Sequence, residues 1–65
     1  MPSSVIRAFD YDATTRQLDI VFVSGRRYRY ADVPPQVAAD FRAAFSRGEF
    51  FNAAIRDRFA CERLD

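Results

Sequence analysis

The sequence contains no histidine, lysine or tryptophan, and Cys61 is the only cysteine among its 65 residues. A single thiol cannot form an internal disulfide, and a chain without histidine is a poor candidate for a zinc site. The usual pairs of general base and nucleophile are missing for the same reason. We therefore expect a protein that is not an enzyme and that holds neither a metal ion nor another cofactor.

Long apolar runs are missing as well. No segment approaches the roughly 20 apolar residues of a membrane span, and the N-terminal segment lacks the charged and apolar regions of a secretory signal. Together with the lone cysteine, this predicts a cytoplasmic protein without a membrane partner. We expect residues 1–65 to form one domain, whose small core depends on the seven phenylalanines.

Arginine and aromatic residues are concentrated in one stretch. The net charge of the chain is only +1, and all of its basic residues are arginine. Arg26, Arg27 and Arg29 lie next to Tyr28 and Tyr30 in a segment that contains no acid. This local excess of positive charge is the first candidate for contact with phosphate groups.

Alternating apolar and polar residues predict strands at 4–12, 18–23 and 26–30. The turns between them are so short that they can join only antiparallel neighbours. The predicted fold is α+β, a three-stranded antiparallel meander followed by two helices packed on one sheet face (βββαα). Its core covers about residues 4–59, and the polar end, residues 60–65, is expected to fray.

The register of the second hairpin depends on the loop at 23–25. A two-residue turn would separate the tyrosines from the apolar side chains of strand 2, whereas a three-residue loop with left-handed Gly25 pairs Ile20 with Tyr28 and Asp19 with Arg29. With a four-residue loop at 13–16, the inner face takes Phe9, Tyr11, Leu18, Ile20, Phe22, Tyr28 and Tyr30. The outer face takes Ile6, Ala8, Asp10, Asp19, Val21, Arg27 and Arg29.

The second half of the chain has helical periodicity. Pro34 and Pro35 suit the first turn of a helix that is capped by Asp32 or Val33. An apolar stripe follows at Val37, Phe41, Ala44 and Phe45. Ser46 and Glu49 form a capping-box pattern that begins a second helix. The apolar side of that helix contains Phe51, Ile55 and Phe59.

Many of these residues also match a known pattern in order and spacing. The matching residues are Ser4, Ile6, Tyr11-Asp12, Leu18, Phe22, Gly25, Tyr28, Tyr30, Val33-Pro34, Ala44, Ser46, Gly48, Phe51-Asn52 and Ile55-Arg56. In these features the chain resembles the KTSC domain family, and it departs from the family at Asp10 and Phe59. The family is named after the C-terminus of some lysyl-tRNA synthetases and also occurs as stand-alone bacterial proteins. The resemblance implies an RNA partner by association.

Each candidate site has a functional and a structural interpretation. Tyr28 and Tyr30 either stack on bases or fill the core, and the register favours the core. Arg26, Arg27 and Arg29 either bind phosphate or form a solvated strand in which Arg29 pairs with Asp19.

The family-motif residues are interpreted as mainly structural. They are Gly25, Tyr28, Tyr30, Pro34, Ser46, Gly48, Phe51, Asn52, Ile55 and Arg56. For Asn52 and Arg56 the alternative is ligand contact; the favoured interpretation has Asn52 bonded to backbone and Arg56 paired with an acid.

Two functions remain open at this point. The first is a small non-enzymatic RNA-binding module that uses Arg26, Arg27 and Arg29. The second is a module for self-association, as a homodimer, or for docking of another protein. It would use either an apolar strip of Ile6, Ala8 and Val21 or the free edge of strand 3.

Overall fold

Four antiparallel strands form one sheet with the order β1-β2-β3-β4. The computed structural model describes residues 5–65, so the expected first strand residue, Ser4, lies outside the described residues. The strands are β1 (Ile6–Asp12), β2 (Gln17–Phe22), β3 (Arg27–Tyr30) and β4 (Cys61–Arg63). The helices are α1 (Pro35–Ala43) and α2 (Arg47–Phe50), and α2 continues into a π-helical segment, Phe51–Ile55. The α+β class is confirmed, but the sheet has a fourth strand.

This fourth strand corrects two predictions. Residues 60–65 are expected from the sequence to form a frayed polar end, but Cys61 pairs with Tyr30 and Arg63 with Tyr28. The Leu64 N–H also donates to the Arg27 carbonyl at 2.8 Å. β3 would otherwise present a row of unpaired N–H and C=O groups, and β4 satisfies them. β3 is therefore an interior strand, and the edges of the sheet are β1 and β4.

The predicted register of β2 and β3 is confirmed. Ile20 faces Tyr28 and Asp19 faces Arg29. Gly25 has φ of +94°, a left-handed conformation that favours glycine, and its N–H donates to the Phe22 carbonyl at 2.9 Å. The sheet therefore has a distinct inner face toward the helices and an outer face.

Ile6 is an exception to the predicted faces. It pairs with Phe22, whereas Ala8 pairs with Val21, so the register shifts by one residue between Ile6 and Ala8. Such a bulge reverses the side to which the preceding residues point. Ile6 consequently packs against the core instead of lying on the outer face, and its predicted place in an outer strip is wrong.

The core lies between the inner sheet face and the helical layer. Its buried members are Leu18, Ile20, Tyr30, Val33, Phe41, Phe51 and Ile55. The rings of Phe9 in β1 and Phe41 in α1 are 4.4 Å apart between centroids, and Phe22 in β2 lies 5.3 Å from Phe51. Both helices therefore pack on the same sheet face, as predicted.

The first helix differs from its prediction at both ends. Pro34 is its N-cap residue, in place of Asp32 or Val33. Ala44 has an extended backbone (φ −64°, ψ 138°), which ends the helix before the apolar stripe is complete. Phe45 therefore leaves the core side and is 94% exposed.

The second helix begins as the capping pattern predicts. The Ser46 hydroxyl accepts a hydrogen bond from the Glu49 N–H at 3.3 Å. The helix ends at Ile55, and Arg56 is extended, so Phe59 packs against the core from a turn. Within residues 5–65, no helix has the length and apolar character needed to cross a membrane.

Candidate functional site

A cleft of about 630 Å³ opens between the β2–β3 loop and the π-helical segment. The loop, β3 and β4 form one side, and the residues around the π-helical segment form the other. Its walls are Val5, Phe22, Val23, Ser24, Arg26, Tyr28, Tyr30, Phe51, Asn52, Arg56, Asp57, Phe59 and Cys61. A cavity of this size is in the range of small-molecule sites, which are mostly apolar with a few polar groups.

The floor of the cleft is a set of aromatic rings in mutual contact. Phe22 lies edge-on to Tyr28 at 5.8 Å and to Phe51 at 5.3 Å between ring centroids. Tyr30 contacts Phe51 in the same way at 5.6 Å. Edge-to-face contacts of this kind fix ring orientations. Tyr30 and Phe51 are buried, whereas Tyr28 and Phe22 are half-buried and present part of their rings to the cleft.

The rim of the cleft is polar and carries two arginines. The Arg56 Nη1 donates to the Asn52 Oδ1 at 3.4 Å, so these residues bond each other. This differs from the predicted backbone bond of Asn52 and acid pairing of Arg56. Arg26 approaches the cleft from the β2–β3 loop, and Asp57 is the one carboxylate in its lining. The exposed arginines outnumber that acid, so the rim favours an anionic ligand.

The π-helical segment explains how Asn52 and Arg56 reach the rim. The Arg56 N–H donates to the Phe51 carbonyl at 2.8 Å, five residues earlier in the chain. This wider turn buries Phe51 and Ile55 in the core while Asn52 and Arg56 remain exposed. Short π-helical segments within helices are rare and often occur at functional sites.

Tyr30 is a buried member of the aromatic floor. It is 5% exposed, and burial raises its pKa to about 12. Burial disfavours the charged phenolate, which explains the direction of the change. Near neutral pH the phenol keeps its proton, so the floor of the cleft carries no negative charge from Tyr30.

The arginine stretch is divided between the two sheet faces. Arg26 lines the cleft, while Arg27 and Arg29 belong to the outer side of β3. The Arg29 Nε and Nη2 donate to the two carboxylate oxygens of Asp19 at 2.9 and 3.2 Å. This bond raises the pKa of Arg29. The Arg29 pairing agrees with the structural interpretation, and the three arginines do not form one surface.

Other family-motif residues have structural positions. Gly25 is left-handed, Pro34 caps α1, Ser46 caps α2, and Gly48 and Ile55 are buried. These positions agree with the structural interpretation of these residues.

The predicted outer strip is reduced. Ile6 is not part of it, because Ile6 packs against the core. Ala8 and Val21 line a groove of about 170 Å³ together with Leu64. This groove is much smaller than the cleft, and it lies on the opposite sheet face.

Sequence reasoning missed seven of the lining residues of the cleft, namely Val5, Phe22, Val23, Ser24, Asp57, Phe59 and Cys61. Phe22 was assigned correctly to the inner face, but nothing in the sequence marks which inner residues the helices leave uncovered. Cys61 faces the cleft only because β4 pairs with β3. Among residues 5–65, no three histidine, cysteine, aspartate or glutamate side chains are grouped to hold a metal ion.

The chain is similar to proteins of two sizes. It is 44% identical over 61 residues to a lysine–tRNA ligase of Nostoc punctiforme, an alignment that covers 94% of this chain and 11% of the ligase. The chain thus spans about a tenth of the length of that relative. It is also 42% identical over 62 residues to a protein of Tsukamurella paurometabola, covering 95% of this chain and 92% of the relative.

The fold is shared with a solved structure. The crystal structure of a KTSC domain protein from Yersinia pestis matches with a TM-score of 0.91 and 33% sequence identity, covering all of this chain and 94% of the other. The family model of the KTSC domain matches residues 2–59. The resemblance in the sequence is thereby confirmed, and the chain belongs to the KTSC domain family.

Proposed function

We propose that this KTSC domain binds single-stranded RNA without catalysing a reaction. A base enters the cleft and packs against the exposed parts of Tyr28 and Phe22. Arg26 and Arg56, on opposite sides of the rim, contact the adjacent phosphates.

One observation carries this proposal, namely that aromatic surface and two arginines line the same cleft. Single-stranded nucleic acids are bound by this combination, because each base has an apolar face and each phosphate a negative charge. The Asn52 amide adds hydrogen-bonding groups at the rim that can meet the edge of a base. Since the lining holds two arginines and Asp57, we expect weak, salt-sensitive affinity.

The relatives support an RNA partner by context. A domain of this family forms part of a lysine–tRNA ligase, whose name implies contact with tRNA. This chain corresponds to a small part of that protein, so the ligase activity is not transferred to it.

Two surfaces on which the protein-docking alternative depended, the free edge of strand 3 and the outer position of Ile6, are absent from the described residues. β3 is paired on both sides, and Ile6 lies against the core. The remaining outer strip of Ala8 and Val21 is small, and the face beside it carries the Asp19–Arg29 ion pair. The cleft is larger than the groove on the outer face, and it combines aromatic rings with two arginines and Asn52. We therefore propose RNA as the partner.

The proposal is tested by NMR titration with a single-stranded oligoribonucleotide at two salt concentrations. We expect the largest shift changes at Tyr28, Asn52 and Arg56. The double variant Arg26→Ala, Arg56→Ala should bind more weakly. Its slope of log affinity against log salt should be smaller by about 1.4, because each phosphate contact contributes about 0.7.

A matched control is the double variant Arg27→Ala, Arg29→Ala, which removes the same charge from the outer face. It should bind RNA almost as the parent does. Undetectable binding at low salt, or shift changes confined to the outer face, would contradict the proposal.

A further inference from the structure

A second basic surface lies where α1 and α2 meet β1. The guanidinium carbons of Arg42 and Arg47 lie 6.0 and 5.2 Å from the centre of the Phe9 ring. The ring itself is held by Phe41, at 4.4 Å between centroids. An arginine stacked on an aromatic ring keeps the N–H groups at its edge available, so both side chains are oriented for contact with an anion.

No ion pair neutralises the two guanidiniums within the described part of the chain. Among residues 5–65, neither Arg42 nor Arg47 makes an ion pair with a carboxylate. Asp40, two residues before Arg42, accepts a hydrogen bond from Gln36 at 2.8 Å. Two like charges gathered on one ring repel each other, and a phosphate group between them would relieve that repulsion.

An exposed aromatic side chain lies on the segment that connects the same two helices. Phe45 is 94% exposed, and it stands between Arg42 and Arg47 in the chain. No other large apolar side chain of the described residues is exposed to this extent. An exposed ring that lies between two arginines in the chain has the composition of a site that stacks a base and contacts its phosphates.

We propose that Phe9, Arg42, Phe45 and Arg47 form a second contact site for the RNA strand that enters the cleft. This inference rests on the proposed function and adds a minimum length to the ligand. Inner-face residues of the sheet line both sites, Phe22 and Tyr28 in the cleft and Phe9 in the second site, and we expect one strand to contact both. The bound RNA is therefore a strand of several nucleotides, and a single nucleotide would occupy the cleft alone.

The test compares a dinucleotide with a strand of roughly ten nucleotides, a length typical of small single-strand binding sites. The double variant Arg42→Gln, Arg47→Gln removes the charges and keeps planar groups over Phe9. It should bind the dinucleotide as the parent does but the longer strand more weakly, with a salt slope smaller by about 1.4. Phe45→Ala should weaken binding of the longer strand at least about fivefold.

The outcomes separate this inference from the proposed function. If the Gln variant binds the longer strand with unchanged affinity and salt slope, the second site is refuted while the cleft stands. Loss of binding of both RNAs in this variant, with unchanged binding in Arg26→Ala, Arg56→Ala, would refute both proposals, because the second site is defined as an extension of the cleft. Failure of the parent to bind either RNA refutes both. Amide spectra of each variant show whether it is folded. The Arg27→Ala, Arg29→Ala control shows how much of any effect comes from the loss of two positive charges alone.

Discussion

At the residue scale, Tyr28 and Tyr30 show how two positions on one strand face can differ. Tyr30 is buried beside Phe51, whereas Tyr28 lies closer to the loop and is half-buried at the cleft. The structural interpretation fits Tyr30, and Tyr28 combines packing on Phe22 with accessible ring surface. A single interpretation for the Tyr-x-Tyr pattern is therefore inadequate.

Burial of Tyr30 leads to a dependence of stability on pH. Its pKa is raised from 10.0 in the unfolded chain to about 12 in the folded protein. The stabilisation is complete below pH 10 and is lost as the pH rises toward 12, because the unfolded phenol loses its proton first. We expect the free energy of unfolding to fall over this interval, as measured by urea denaturation at a series of pH values.

Tyr30→Phe is the matched variant for this measurement, since it keeps the ring and removes the ionisable group. Its free energy of unfolding should decline less steeply between pH 10 and 12 than that of the parent. Equal slopes for the two proteins would show that Tyr30 is not responsible.

At the scale of secondary structure, β4 is the element whose own residues give the weakest indication of a strand. All of its residues, Cys61–Arg63, are exposed. Its position is set by backbone hydrogen bonds to β3 and by the Arg27 N–H, which donates to the Asp65 Oδ1 at 3.3 Å. Asp65 also receives a hydrogen bond from the Arg63 Nε, and these bonds lower the pKa of its carboxyl group.

Leu64→Pro tests whether β4 is held as the structure shows. The substitution removes the N–H that donates to the Arg27 carbonyl, and a lost hydrogen bond of this kind costs about 1 kcal/mol. We expect faster hydrogen exchange at the amides that pair β3 with β4. Leu64→Ala keeps the N–H and should preserve slow exchange at those amides. A frayed end would give fast exchange in the parent and in both variants.

The sequence was sufficient to predict the elements that carry a clear pattern. Register in β2 and β3 followed from the alternation around Gly25, and Ser46 correctly predicted the start of α2. β4 could not be predicted, because a short polar segment becomes a strand only through its partner. The position of Ile6 depends on a bulge, and that of Phe45 on an early helix end, neither of which has a local sequence signal.

At the scale of the whole molecule, stability depends on one small aromatic core. A domain of this size has a free energy of unfolding of roughly 3–10 kcal/mol. Phe41 is fully buried, with Phe9 on one side and Phe50 at 5.8 Å on another. Removing one such ring costs about 3–5 kcal/mol, which is comparable to the total.

We therefore expect Phe41→Ala to be largely unfolded at room temperature, as measured by circular dichroism and thermal denaturation. Phe41→Leu, which leaves a smaller cavity, should fold with a lowered melting temperature. Phe45→Ala is the matched control, because that ring is 94% exposed and its removal leaves no cavity. Equal destabilisation by the alanine variants would contradict the assignment of the core.

The order of the elements along the chain has a consequence for synthesis on the ribosome. β4 follows both helices, so β3 emerges about 30 residues before the strand that completes its pairing. During that interval a nascent chain presents an open edge at Arg27–Tyr30, and the cleft lacks the wall that Cys61 supplies. The cleft therefore gains its last wall only when β4 is synthesised, after both helices have been made.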